Sequence, residues 1–110
     1  MKYIEVLQYC LSLPGTRKES ETGQGQRFTL LAGDEPFAQF ETGAPIQWQF
    51  LVRATEADCE ELYDPPHIRT SDRGPGHWLV ILRVENFDDE RLKELILWSY
   101  EQAVAAADAA

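Results

Sequence analysis

The stretch His77-Trp78-Leu79-Val80-Ile81-Leu82-Arg83-Val84, followed after an acidic break by Asp88 to Ala105, decides the fold. Trp78 to Leu82 is an unbroken apolar run, too short to cross a bilayer and enriched in aromatic and β-branched side chains, so it predicts a buried strand. Beyond Asp88-Asp89-Glu90, Leu92, Leu95, Ile96, Ser99 and Ala103 recur at three- and four-residue steps, which predicts a helix with one core face. The three acids suit the positive end of that helix, and the alanine-rich end from Ala103 to Ala110 is expected to fray. Alternation along the strand assigns Trp78, Val80, Leu82 and Val84 to the core, packed on Leu92, Leu95, Ile96 and Ala103. It leaves Leu79 and Ile81, with His77 and Arg83, on the outer face.

Upstream, Thr55-Glu56-Ala57-Asp58 opens a short helix that runs to about Tyr63, and Asp64-Pro65-Pro66 stops it. Residues 64–76 are turn-rich, with one short strand near Ile68-Arg69-Thr70. Before them, Ile46 to Arg53 alternates, with Ile46, Trp48, Phe50 and Val52 on one side and Gln47, Gln49, Leu51 and Arg53 on the other. Arg27 to Ala32 and Phe37 to Thr42 complete an antiparallel meander, with turns at Gly33-Asp34-Glu35-Pro36 and Gly43-Ala44-Pro45. Thr16 to Gln26 is polar throughout and is expected to be a long loop. The first helix spans about Lys2 to Leu13, with Tyr3, Val6, Leu7, Cys10 and Leu11 on one face and Ile4 on its flank, and Pro14-Gly15 ends it. The order is α-β-β-β-α-β-β-α: an α+β fold, expected as one domain over residues 1–110.

The chain has 110 residues and a net charge of −9, with 10 Lys and Arg against 19 Asp and Glu. The first half is near neutral and the second half carries most of the excess acid, which lowers the expectation of contact with phosphate backbones or anionic membranes. Neither a membrane span nor a leader-like opening is visible, and Cys10 and Cys59 suit reduced, packed thiols, so a cytoplasmic protein is expected.

Catalytic chemistry finds no foothold in the spacing. Cys10, Cys59, His67 and His77 show no metal-ligand spacing, so no metal or cofactor is expected. No nucleophile elbow surrounds Ser99, and the acids beside Cys59 oppose thiolate formation. Two loop-borne basic groups are candidate nucleic-acid contacts: Arg17, Lys18 and Arg27, and His67, Arg69, Arg73 and His77. Helical counting turns Trp98 and Leu97 away from the core. They form one candidate surface for another protein or a second copy, and Leu79 and Ile81 on the open sheet face form an alternative one.

Several stretches together resemble the MmcQ/YjbR family of small bacterial proteins. They are Tyr9-Cys10-Leu11-Ser12-Leu13-Pro14-Gly15, Pro36-Phe37-Ala38, the Tyr63 to Pro66 turn, His77-Trp78, and Asp88 to Ile96 with Ser99-Tyr100. The resemblance spans the chain in order. It implies a two-layer α-β(3)-α-β(2)-α architecture, like CyaY-like or secretion-chaperone-like folds. It also implies a non-enzymatic role, with DNA binding through a double-wing arrangement. Gly33-Asp34-Glu35-Pro36 and Pro75-Gly76 depart from the family pattern, which often carries basic residues there.

Overall fold

A computed structural model describes residues 1–23, 25–42, 48–71 and 77–109. Helix α1 (Tyr3–Ser12) leads into strands β1 (Thr16–Gly23), β2 (Gly25–Ala32), β3 (Glu35–Thr42) and β4 (Trp48–Ala54). Then come α2 (Glu56–Leu62), β5 (Ile68–Ser71), β6 (His77–Ile81), a single 3-10 turn at Val84–Asn86, and α3 (Asp89–Ala109). The strands form one antiparallel sheet in the order β1-β2-β3-β4-β6-β5. Side chains of α1, α2 and α3 enter the same apolar cluster as Leu30, Phe40, Phe50, Val52, Leu79 and Ile81. The helices therefore form one layer on one side of the sheet, and the expected two-layer α+β fold is observed.

The first run of strands has four members where three were expected. Thr16–Gly23 is β1, paired with β2 from Thr16↔Ala32 to Gly23↔Gly25, instead of the long loop that its polarity suggests. An edge strand uses its backbone for pairing and needs no apolar stripe, and charges along it discourage pairing with other chains. Gly43 to Gln47, expected to hold a turn and the start of β4, and the Gly74-Pro75-Gly76 turn lie outside the described residues.

Strand β6 has the opposite phase to that expected. Leu79 is 0% and Ile81 1% exposed, and both lie in the main core beneath the helices, whereas Trp78 and Val80 join Leu51 in a second cluster on the far side. A continuous apolar run carries no alternation of its own; the register Val52↔Leu79 and Leu51↔Val80 with the alternating β4 sets which face is which. Leu79 and Ile81 are therefore core residues and no part of an exposed partner surface.

Ser99 explains how α3 is seated. The β3–β4 ladder ends at Ala38↔Val52, beyond a bulge where Leu31 pairs with Pro36. There the buried Ser99 hydroxyl donates to the Phe37 carbonyl at 2.6 Å and accepts the Arg53 backbone N–H at 3.2 Å. One hydroxyl thus stands in for a missing rung, bonding a backbone carbonyl of β3 and a backbone N–H of β4.

The alanine-rich end does not fray at Ala103. Helix α3 continues to Ala109, Ala103 is buried, and Gly33 (φ +65°) lies so close that a Cβ there would be 2.9 Å from the Ala107 Cβ. On α1, Val6 and Cys10 are buried, but Ile4 and Leu11 are exposed, so its core face is narrower than its apolar stripe.

Candidate functional site

Residues paired directly across antiparallel strands project to the same face of the sheet. On the face without helices, the central row runs Arg69–Val80–Leu51–Gln39–Thr29–Glu19, from β5 to β1. Beside it lie Ser71–Trp78–Arg53 on one side and Gln49–Glu41–Arg27 on the other, and Arg17 is paired with Leu31 toward the β1 edge. Four arginines from four strands, Arg17, Arg27, Arg53 and Arg69, thus share one face around a buried patch of Leu51, Trp78 and Val80.

The four differ in their partners. Arg27 pairs with Glu41 at 3.2 Å, and the exposed Arg17 contacts Asp34 at 3.2 Å and Glu19 at 3.5 Å. Arg69 donates to the neutral Gln49 amide at 3.4 Å, spanning β6, so its charge is not offset through that bond. The indole N–H of Trp78 is buried and has no acceptor among the described residues.

Charge divides between the layers. Glu56, Asp58, Glu60 and Glu61 lie on α2, and Asp89, Glu90, Glu94, Glu101 and Asp108 lie on α3. On those two helices only Arg91 and Lys93 are basic, and they pair with Asp58 (2.7 Å), Glu94 (3.3 Å) and Glu90 (3.9 Å). The net charge of −9 thus resolves into an acidic helix layer and a sheet face where arginine and glutamate interleave.

The structure brings only part of the basic set together. Arg17, Arg27 and Arg69 share the helix-free face. Lys18, one residue on from Arg17, faces the helix side, with its ammonium 4.7 Å from the Phe28 ring centre. His67 precedes β5, where its carbonyl accepts the Leu82 N–H at 2.9 Å; with Asp64, Arg83 and Asn86 it lines a cavity of about 170 Å³. His77, opposite Ala54, stands on the helix side at a cleft of about 400 Å³ with Glu56, Glu60 and Tyr63. Arg73 lies outside the described residues. Arg53 belongs to the face but was not among the expected nucleic-acid contacts; the alternation of β4 already placed it there, beside Leu51.

Leu97 and Trp98 are 40% and 36% exposed on α3, turned away from the core as helical counting expects. Burial pushes the Cys10 thiol up to about 12, so it is protonated at neutral pH and is no nucleophile. Among the described residues, no group of three or more His, Cys, Asp or Glu side chains is placed to hold a metal ion, and no helix is long and apolar enough to cross a membrane. No protein-family model matches the chain, and no curated protein sequence matches it significantly.

Proposed function

We propose that this chain is a small, non-enzymatic cytoplasmic protein of the MmcQ/YjbR type that binds DNA through the helix-free face of its sheet. The observation that carries the reading is the convergence of Arg17, Arg27, Arg53 and Arg69 on that face, while α2 and α3 hold the acids. An anionic polymer is repelled by the acids of α2 and α3 and meets the four arginines from the other side, which orients the encounter. Arg17 and Arg27 exchange Asp34 and Glu41 for phosphates on binding, so affinity is modest and strongly salt-dependent.

Fluorescence anisotropy with random-sequence duplex DNA tests this. Four phosphate contacts give a slope of log K against log salt of about −3 to −4. Arg69→Ala should flatten that slope by about one. Absence of binding even at low salt, or a slope near zero, sinks the reading.

A second reading, a protein-interaction module, rests on the exposed Leu97 and Trp98, since large apolar side chains side by side on a surface mark contact sites. Light scattering of the wild type and of Trp98→Ala separates self-association from a monomeric state.

A further inference from the structure

The aromatic row of the sheet is incompletely roofed. Phe28, Phe40, Phe50 and Ile81 are aligned across β2, β3, β4 and β6 on the helix side. Helix α1 covers the inner part of this row: Tyr3 meets Phe40 edge-on at 6.4 Å, and Val6 and Cys10 fill the core behind it. Toward β1 the fit opens into a cleft of about 270 Å³, lined by Tyr3, Ile4, Leu7, Phe28 and Phe40. Its walls are carbon. The one hydroxyl among these side chains, that of Tyr3, donates to the Leu82 carbonyl at 2.7 Å. Ile4, at the cleft wall, is 57% exposed.

A cation stands over Phe28, one of the residues that line this cleft. The Lys18 ammonium lies 4.7 Å from the Phe28 ring centre, and Lys18 has no carboxylate partner among the described residues. In a chain with nearly twice as many acids as bases, a cation with no carboxylate partner among the described residues, held over a ring of an apolar cleft, is complementary to one kind of ligand: an apolar body with an anionic end. The volume falls just below the usual range for small-molecule sites, about 300–1,000 Å³, which restricts the body to a short chain or a single ring.

The geometry points to a binding site for a small amphiphilic carboxylate, with its chain between α1 and the Phe28–Phe40 pair and its head group on Lys18. The site lies on the opposite side of the sheet from the arginine face, so it stands or falls independently of DNA binding. Apolar burial supplies the affinity, and the lysine selects the sign of the head group.

The test is a ¹H–¹⁵N NMR titration of the full chain with octanoate, octanol and octylammonium. Octanoate should shift amides of Tyr3, Ile4, Leu7, Phe28 and Phe40, and octylammonium should bind about two- to fivefold more weakly. Lys18→Gln, at an exposed site, should weaken octanoate by a similar factor and leave octanol unchanged. Ile4→Glu should weaken octanoate about tenfold or more by placing a carboxylate at the cleft wall. Shifts that map elsewhere, no saturable shift, or equal octanoate affinity in Lys18→Gln overturn the assignment. So do shifts at the cleft produced equally by all three head groups.

Discussion

Ser99→Ala removes one oxygen from the seat of α3 on the sheet. The hydroxyl is buried, donates to the Phe37 carbonyl at 2.6 Å and accepts the Arg53 N–H at 3.2 Å. Its loss removes the partner of a buried acceptor, worth about 1–3 kcal/mol, and of a part-buried donor, worth about half as much. Alanine returns roughly 0.5 kcal/mol through its better helix propensity. The net expectation is a loss of about 1–4 kcal/mol, against the 5–15 kcal/mol typical of a domain. Urea denaturation followed by tryptophan fluorescence reads this directly, as a lower midpoint at unchanged slope. Ser12→Ala is the control: its exposed hydroxyl donates to the Tyr9 carbonyl within the same helix, and its removal should change stability by less than about 0.5 kcal/mol. A loss below about 0.5 kcal/mol in Ser99→Ala as well would refute the claim that this hydroxyl replaces a rung of the ladder.

Gly33→Ala should destabilise by about 1–3 kcal/mol, because φ is +65° and the new methyl would lie 2.9 Å from the Ala107 Cβ. Adding Ala107→Gly should recover the contact part and leave the backbone part, in the same denaturation assay. Thr55→Ala removes an N-cap that accepts the Asp58 N–H at 3.0 Å, and should lower stability by about 1 kcal/mol, measured as a shift in Tm. The Cys10 thiol is held up to about 12 by burial, and the Tyr3 phenol reaches a similar value through burial and then the nearby Glu85 carboxylate. Both folded-state values lie above the unfolded ones, so their stabilisation is complete below pH 9 and is lost as pH rises from 9 toward 12. Urea midpoints across that window should fall, and Cys10→Ala should remove the lower-pH part of the decline; a flat profile contradicts the burial argument.

How much of this was legible in the chain depends on the kind of signal each residue carries. Helix α3 and strand β4 were readable because Leu92, Leu95, Ile96, Ser99 and Ala103, and Phe50 with Val52, repeat with the period of their element. Strand β1 was not, because pairing such as Lys18↔Leu30 needs only the backbone of β1. The phase of β6 was hidden within five consecutive apolar residues, and only its neighbours resolve it, which moved Leu79 and Ile81 inward and Trp78 and Val80 outward. Of the candidate site, Arg17, Arg27 and Arg69 were found as basic residues, but their common face depends on register across the sheet. His67, His77 and Lys18 were close to these in sequence and separate from them in space, because adjacent strand positions face opposite ways and loops lead elsewhere.

The central claim is that an anionic polymer meets the arginine face and avoids the helix layer. An NMR titration with a short DNA duplex, following backbone amides at low and raised salt, addresses it most directly. Salt-sensitive shifts are expected at Arg17, Arg27, Gln49, Arg53 and Arg69, with α2 and α3 unperturbed. Absence of shifts at low salt, or shifts centred on Leu97 and Trp98, would contradict it.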